Sequence, residues 1–124
     1  MLRVLLIEDN RIFRETLKEN LRNRFPFMVV EEAANCDQAL QRTHEIIPHL
    51  IFMDMHLPEM NGLKLTQMIK KDFPDIYIAI ITGYDQPEYR RAALQSGADR
   101  LFGKASLNWN DVATFIESIP LPAR

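Results

Sequence analysis

Short apolar runs alternate with longer segments of helical periodicity along this chain of 124 residues. Between the runs, apolar residues recur every three or four positions, as at Phe13, Leu17 and Leu21, and residues at this spacing share one helix face. Strands that alternate with helices form a parallel sheet that is covered on both faces. The pattern therefore predicts an α/β fold, a doubly wound (βα)5 domain with a five-stranded parallel sheet. The predicted strands are residues 3–7, 28–33, 50–54, 76–82 and 100–103.

Two helix ends are marked in the sequence. Asn35 with Gln38 three residues later resembles a capping box, and Gly97 stands where a helix C-terminal glycine is expected. We found no repeat, no low-complexity segment and no internal linker. Residues 1–119 are predicted to form one domain, and residues 120–124 a C-terminal tail or the start of a linker.

Composition excludes several classes of function. A net charge of −2 gives no general attraction to nucleic acid or to an anionic membrane. No run of apolar residues approaches the roughly 18 that a membrane span requires, and MLRVLLIEDN turns acidic too early for a signal peptide. Cys36 is the single cysteine, which excludes an internal disulfide and fits a packed residue in a reducing compartment. A cytoplasmic protein is expected.

Polar side chains stand at the ends of four predicted strands. The first strand is followed by Glu8 and Asp9, the third ends in Asp54, the fourth in Thr82, and Lys104 follows the fifth. In an open parallel sheet, ligands bind outside the carboxyl ends of the strands. These five residues are therefore predicted to form one site.

Three neighbouring carboxylates require a cation. Two carboxylates about 4 Å apart repel by around 4 kcal/mol at an effective dielectric of 20. Carboxylates with carbonyls and water suit Mg²⁺, which usually binds phosphate oxygens as well. His44, His49 and His56 lack the spacing of a zinc site. The acids therefore predict Mg²⁺ and a phosphoryl group.

Asp54 is the candidate nucleophile, because aspartate can form an acyl-phosphate. We expect the acidic pair on one side of Asp54 and Lys104 on the other, so that metal and ammonium neutralise the transferring oxygens from two directions. Thr82 would donate a hydrogen bond to a third oxygen.

The motifs LLIEDN, LIFMDMHLPEMNG, IAIITGY and SGADRLFGKAS together resemble the response regulator receiver domain of two-component signalling, from residue 3 to about 119. The resemblance implies the flavodoxin-like receiver fold, with Asp54 as the acceptor of a phosphoryl group from a sensor histidine kinase or a phosphotransfer protein. It implies that Asp9 binds Mg²⁺ directly with Glu8 as its neighbour, and that His56 supplies a backbone carbonyl. Thr82 and Lys104 match the residues that contact the phosphate. Gly62 is expected to serve the backbone geometry at the start of the third helix.

The resemblance also implies residues for hydrolysis and output. His56 and Tyr84 stand where side chains flank the hydrolytic water, and their bulk predicts a long-lived phosphoryl state. Leu101 replaces the aromatic residue that usually turns inward, while alternation along the strand places Phe102 on the opposite face, in the core. The face formed by the fourth helix, fifth strand and fifth helix is the expected homodimer surface, with Tyr89, Arg90, Arg91 and Arg100.

One further departure concerns the residue after the lysine. The family often has proline there, whereas this chain has Ala105. A non-proline cis bond costs about 2.5–4 kcal/mol, so a trans bond is expected.

The predicted function is a phosphorylatable receiver that switches an output domain or partner in transcriptional regulation, or alternatively a stand-alone phosphorelay regulator that acts by protein contact. It is a signalling module with self-catalysed phosphoryl transfer and autodephosphorylation, not an enzyme, and it does not bind nucleic acid directly. Three other hypotheses are a haloacid dehalogenase-like phosphatase, a flavodoxin-like nucleotide binder and a phosphate-independent scaffold. The first needs its nucleophile after the first strand and a second aspartate two residues later, where His56 follows Asp54. The second needs a phosphate loop where EDNRIFR stands.

Overall fold

The computed structural model describes residues 2–83 and 86–120 of the chain. Strands and helices alternate, and the strands pair in parallel in the order β2-β1-β3-β4-β5. This arrangement confirms the predicted doubly wound (βα)5 fold. The elements are β1 (Arg3–Ile7), α1 (Arg11–Arg24), β2 (Val29–Ala33), α2 (Cys36–Ile46), β3 (Leu50–Asp54), α3 (Gly62–Asp72), β4 (Tyr77–Thr82), α4 (Pro87–Gln95), β5 (Arg100–Gly103) and α5 (Trp109–Glu117).

The sheet separates two hydrophobic cores. Leu5 and Ile51 pack on one face with residues of α2, α3 and α4, whereas Leu6 and Phe52 pack on the other face with residues of α1 and α5. Every residue of β3 is buried, because this central strand has a neighbour on each side and helices over both faces. Burying one such aliphatic or aromatic side chain contributes roughly 1.5–3 kcal/mol. The apolar run before Asp54 is thus the centre of the fold.

Two strands begin one residue later than predicted. The Met28 N–H donates to the Phe25 carbonyl at 2.9 Å, and the Ile76 N–H donates to the Phe73 carbonyl at 3.2 Å. Both donors therefore serve the turn that follows a helix instead of the sheet. The ladders start at the next residues, Val29 and Tyr77 in the structure.

The predicted capping box at α2 is half correct. Asn35 Oδ1 accepts from the Gln38 N–H at 2.9 Å, as expected for an N-cap. The Gln38 side chain, however, accepts from the Ala34 N–H at 2.8 Å rather than from the cap residue itself. The return hydrogen bond is displaced by one residue.

Gly97 confirms the prediction for the end of α4. Its φ of 103° is in the left-handed region, which favours glycine. The Gly97 N–H donates to the Leu94 carbonyl and the Ala98 N–H to the Ala93 carbonyl, both at 3.1 Å. These two hydrogen bonds form a Schellman motif.

Gly62 is needed at the start of α3 because neighbouring backbone leaves no space for a side chain. Its φ lies outside the left-handed region, but an added Cβ would overlap the Asp54 carbonyl oxygen and lie 2.9 Å from Met55 Cα. The Gly62 N–H also donates to the Met55 carbonyl at 2.7 Å. The start of α3 therefore lies directly against the chain that leaves β3.

Two other expectations concern the chain as a whole. No peptide bond in the described ranges is cis, so the expected trans bond between Lys104 and Ala105 is confirmed. Among the residues that the structure describes, no helix has the length and apolar character needed to cross a membrane.

Substituting Gly62 should destabilise the fold. We expect Gly62→Ala to lower the free energy of unfolding by about 1–3 kcal/mol or more, because the added methyl group meets backbone that cannot rotate away. Gly83→Ala is the matched control, since an added Cβ there has no neighbour within 4 Å. Urea unfolding of both variants measures the difference. Equal stabilities would show that α3 moves outward at little cost.

Candidate functional site

The predicted site residues converge at the carboxyl edge of the sheet, the edge at which the parallel strands end. Thr82 pairs with Gly103, and the Lys104 N–H donates to the Thr82 carbonyl at 2.7 Å. Asp54 pairs with Ile81, one residue before Thr82. In the strand order β2-β1-β3-β4-β5, successive connections run in opposite directions from β1 and β3. In a doubly wound sheet, ligands bind in the crevice between the two strands at this point.

Glu8, Asp9 and Asp54 form an acidic cluster, in which one ligand oxygen of each lies within 4.8 Å of the others. Glu8 is 3% exposed and Asp54 is 4% exposed, whereas Asp9 faces solvent. A six-coordinate Mg²⁺ has oxygen ligands at about 2.0–2.1 Å, so opposite ligands are roughly 4 Å apart. The cluster therefore has the size and ligand type to hold one divalent cation, with Asp9 on the solvent side.

Lys104 lies next to the acidic cluster, and its position corrects one prediction. Its Nζ is 2.7 Å from Glu8 Oε1 but 3.8 Å from Asp54 Oδ1. Lys104 was expected on the side of Asp54 away from the acidic pair. Instead, its shorter ion pair is with Glu8, a member of that pair.

Backbone N–H groups bind the two buried carboxylates, and one arginine binds the backbone of Glu8. Asp54 Oδ1 accepts from the His56 N–H at 3.1 Å, and Glu8 Oε2 accepts from the Asn10 N–H at 3.1 Å. Arg14 Nη1 donates to the Glu8 carbonyl at 2.7 Å. Arg14 was missed by the sequence reasoning, because a basic residue on the first helix carries no signal that distinguishes it from a solvated one. It lies one helical turn after Asn10, whose side chain caps α1.

Burial and the neighbouring Glu8 raise the pKa of Asp54 to about 8. The His56 N–H opposes this shift in part, while Asp9 adds to it. A carboxyl group is thus kept protonated where two other acids surround it and water is excluded. A divalent cation in the acidic cluster would reverse this effect, because it favours the ionised form.

Thr82 and His56 differ in exposure. Thr82 is fully buried at the end of β4, and His56 is exposed just after β3. Tyr84, the other residue expected beside the hydrolytic water, lies outside the described residues. The roles of the Thr82 hydroxyl and the His56 carbonyl stay predictions.

The remaining histidines and the cysteine have structural positions away from the acidic cluster. His49 Nδ1 accepts from the Arg3 N–H at 2.9 Å, and burial lowers the pKa of His49. His44 Nδ1 lies 2.9 Å from the Leu40 carbonyl. Cys36 is a free, buried residue at the start of α2, as expected from a packed cysteine.

The structure divides the predicted output residues into two groups. Arg90 and Arg91 are exposed on α4, and Arg90 Nη1 lies 3.4 Å from the Leu101 carbonyl. Tyr89 is partly buried against the core that contains Leu101. Arg100, also partly buried, has its guanidinium 4.8 Å from the centre of the Phe102 ring. Tyr89 and Arg100 are therefore partly buried within the domain, and Arg90, although exposed, also contacts β5.

Leu101 and Phe102 lie on opposite faces of β5, as alternation predicted. Leu101 packs with Ala93 of α4, whereas Phe102 packs with Phe115 of α5. Leu101 is 4% exposed, so its side chain is already directed into the core.

A doubly wound sheet with this acidic cluster and lysine is the arrangement of a receiver domain. The Response regulator receiver domain family matches residues 4–112. This chain therefore belongs to that family, and the resemblance inferred from the motifs is confirmed.

Relatives and solved structures agree with this assignment. The response regulator protein VraR of Staphylococcus saprophyticus is 30% identical over 115 residues, which are 93% of this chain and 54% of VraR. VraR of Staphylococcus aureus strain Mu3 is 32% identical over 98 residues, or 79% of this chain and 47% of that protein. The chain thus spans about half the length of these relatives.

Among solved structures, the signal receiver domain of a DNA binding response regulator protein (merR) from Colwellia psychrerythraea 34H superposes with a TM-score of 0.89 at 26% identity. That match covers 94% of this chain and 96% of the other. A two-component response regulator of the LuxR family from Aurantimonas sp. SI85-9A1 gives a TM-score of 0.85 at 29% identity, covering 94% of this chain and 83% of the other.

Removing the Asp54 carboxylate should stabilise the metal-free protein. Because its pKa in the folded state is raised to about 8, ionising Asp54 costs stability as the pH rises from its ordinary pKa toward that value. We expect Asp54→Asn in chelator to gain on the order of 2–4 kcal/mol at about pH 8 and less at about pH 5, since each pKa unit corresponds to about 1.4 kcal/mol.

Chemical denaturation at both pH values measures this difference. Asp75→Asn, a change at an exposed acid before β4, is the control and should leave stability nearly unchanged. A loss of stability in Asp54→Asn at the higher pH would mean that the contacts of the carboxylate with His56 and Lys104 outweigh its desolvation.

Proposed function

We infer that this domain is a phosphorylatable receiver, in which Asp54 accepts a phosphoryl group in the presence of Mg²⁺. The observation that carries the proposal is the grouping of Asp54 with two further carboxylates within 4.8 Å and the Lys104 ammonium beside them. The proposed donor is the phosphohistidine of a sensor histidine kinase or of a phosphotransfer protein. The proposed ligands of Mg²⁺ are Glu8, Asp9, Asp54 and the His56 backbone carbonyl.

The proposed reaction is an in-line displacement at phosphorus. A carboxylate oxygen of Asp54 forms a bond to phosphorus, and the bond from phosphorus to the histidine nitrogen breaks with its electron pair leaving on that nitrogen. Such a transfer depends mainly on positioning and on neutralising the phosphoryl oxygens. Mg²⁺, when bound, supplies positive charge to these oxygens and keeps Asp54 ionised.

Lys104 and Thr82 are the proposed contacts for the remaining oxygens. In the structure, the Lys104 ammonium lies closer to Glu8 than to Asp54, and these two acids are both at the carboxyl edge. Once a phosphoryl group is present on Asp54, its negative charge adds to the attraction on that side. The Thr82 hydroxyl is proposed to donate to an oxygen that develops charge, and in support of this Thr82 ends β4, the strand beside that of Asp54.

The domain is proposed to be a signalling module that transfers and hydrolyses its own phosphoryl group, not a turnover enzyme. His56 is exposed beside the proposed acceptor, which suits a residue that limits the approach of water. The proposed location is the cytoplasm, where a kinase and its phosphoryl donor meet.

The proposed output is transcriptional regulation through a further domain or a partner. In support of this, the matched VraR proteins are about twice as long as the aligned region, and one similar structure is the receiver of a DNA binding response regulator. The alternative is a stand-alone phosphorelay regulator that acts by protein contact. We propose the face of α4, β5 and α5 as the surface for a partner or a second copy.

Phosphorylation of Asp54 can be tested directly. The protein incubated with Mg²⁺ and acetyl phosphate should gain the mass of one phosphoryl group, as an adduct that is stable to acid and labile to base. Asp54→Asn should gain none, because Asp54 is the carboxylate at the end of the central strand β3 and its replacement removes the proposed nucleophile. Asp75→Asn is the control and should be labelled like the native protein. Equal labelling of Asp54→Asn would refute the assignment.

The conformational response should be partial. Leu101 is already buried, so a shift of Thr82 toward the phosphoryl group opens less space for it than for a large exposed aromatic ring. A complete change of a two-state equilibrium, from 1:99 to 99:1, requires about 5.5 kcal/mol of differential binding. We expect backbone NMR shifts with a beryllofluoride mimic that reach α4 but remain intermediate in size.

Leu101→Ala tests whether Leu101 itself carries the conformational change from the acidic cluster to α4. The substitution should cost about 2–5 kcal/mol of stability, so folding is checked first by the dispersion of the amide spectrum. Shifts confined to the acidic cluster in the native protein would exclude this output face. Shifts across α4 that survive Leu101→Ala would exclude Leu101 as the element that carries them.

A further inference from the structure

An aromatic ring lies against the proposed phosphate-binding lysine. The Lys104 Nζ is 4.6 Å from the centre of the Phe13 ring, well within the distance at which a ring attracts an ammonium. Phe13 is the third residue of α1, directly after the loop that carries Glu8 and Asp9. Neither the predicted fold nor the proposed chemistry assigned this residue a part in the site.

The backbone of Phe13 is fixed by the same loop. Its N–H donates to Asn10 Oδ1 at 3.0 Å, and the Asn10 N–H donates in turn to Glu8 Oε2 at 3.1 Å. The ring packs, partly buried, against the core on the α1 and α5 side of the sheet. Phe13 therefore stands in a fixed relation to the Glu8 carboxylate.

Lys104 is consequently held between two groups of different chemistry. Glu8 Oε1 accepts from the ammonium at 2.7 Å on one side, and the Phe13 ring faces it on another. The lysine side chain is 26% exposed, and without these two neighbours it could adopt several rotamers. The ring restricts these rotamers but cannot accept a proton or bind a phosphate oxygen.

We propose that Phe13 is a positioning residue for phosphoryl transfer, which holds the Lys104 ammonium at the carboxyl edge, ready to contact the phosphoryl group on Asp54. This proposal rests on the proposed function of the domain and adds a residue to it. The Glu8 carboxylate also holds the lysine, but its negative charge would compete with the phosphoryl group for the ammonium. An aromatic face orders the lysine without competing, because its attraction is weak and adds no negative charge.

Packing alone is the competing explanation for Phe13, since its ring also contacts the core. The two roles predict different partners in a double-mutant cycle. If Phe13 acts through Lys104, its substitution changes the rate of phosphorylation only while Lys104 is present. If it acts through the fold, the change is the same with or without the lysine.

The experiment uses Phe13→Leu, which keeps an apolar side chain but removes the ring, and Phe13→Trp, which keeps a ring. With acetyl phosphate and Mg²⁺, we expect Phe13→Leu to slow the initial rate of phosphorylation by about two- to fivefold, the size of an exposed cation–π contact. Phe13→Trp should retain the native rate. In a Lys104→Ala background, Phe13→Leu should have no further effect.

Phe25→Leu is the matched control. Phe25 caps the other end of α1 and is partly buried in the same core, so the substitution removes a ring from comparable packing far from Lys104. It should lower thermal stability without slowing phosphorylation. If Phe25→Leu also slowed phosphorylation, the effect of Phe13→Leu would be due to packing, and the proposal would be overturned.

An NMR measurement tests the contact without any phosphoryl transfer. The ε-methylene protons of Lys104 should be shifted upfield by the ring current of Phe13, and the shift should vanish in Phe13→Leu and persist in Phe13→Trp. Absence of this shift in the native protein, or a native rate in Phe13→Leu, would overturn the proposal. A native protein that takes no label would instead refute the proposed function of Asp54, whatever the ring-current result.

Discussion

Repulsion among three carboxylates at one edge of the sheet is the constraint on which the site depends. Glu8 and Asp54 are almost completely buried, and their oxygens lie with those of Asp9 within 4.8 Å. Lys104 provides one positive charge against these acids at short range, so the cluster is not neutral when all three are ionised. The raised pKa of Asp54 is the direct consequence. Such an arrangement persists only because the surrounding fold is stable enough to hold it.

The fold holds the acids by rigid, apolar strands and by backbone hydrogen bonds. Asp54 ends a strand whose preceding residues are all in the core, and the His56 N–H binds its carboxylate at 3.1 Å. Gly62 lets α3 pack directly against the Asp54 carbonyl. On the other side, Arg14 donates to the Glu8 carbonyl at 2.7 Å. The stability of the central strands thus offsets the repulsion among the carboxylates at their ends.

Sequence reasoning predicted the fold and the grouping of the strand-end residues at the carboxyl edge, because both follow from strand positions. A buried parallel strand has a continuous apolar signal, and the residue at its end must lie at the carboxyl edge, as Asp54 and Thr82 do. Contacts between side chains have no such signal. The ion pair of Lys104 with Glu8 and its approach to Phe13 depend on rotamers of a long side chain. The predicted starts of β2 and β4 were one residue too early. The N–H groups of Met28 and Ile76 donate to turn carbonyls, and the apolar pattern carries no signal of such hydrogen bonds.

Glu8 connects the acidic cluster to the lysine, because a single carboxylate belongs to the cluster and pairs with Lys104. Its Oε1 binds the Lys104 ammonium at 2.7 Å, while its ligand oxygen belongs to the acidic cluster. A cation held by the acidic cluster would weaken the ion pair of Glu8 with Lys104, since the carboxylate would then interact with two positive groups that repel each other. The lysine is then freer to approach Asp54, 3.8 Å away, where a phosphoryl group would bring new negative charge. If the domain is phosphorylated as proposed, occupation of the acidic cluster by a cation and the approach of Lys104 to the phosphoryl group would be coupled through this one carboxylate.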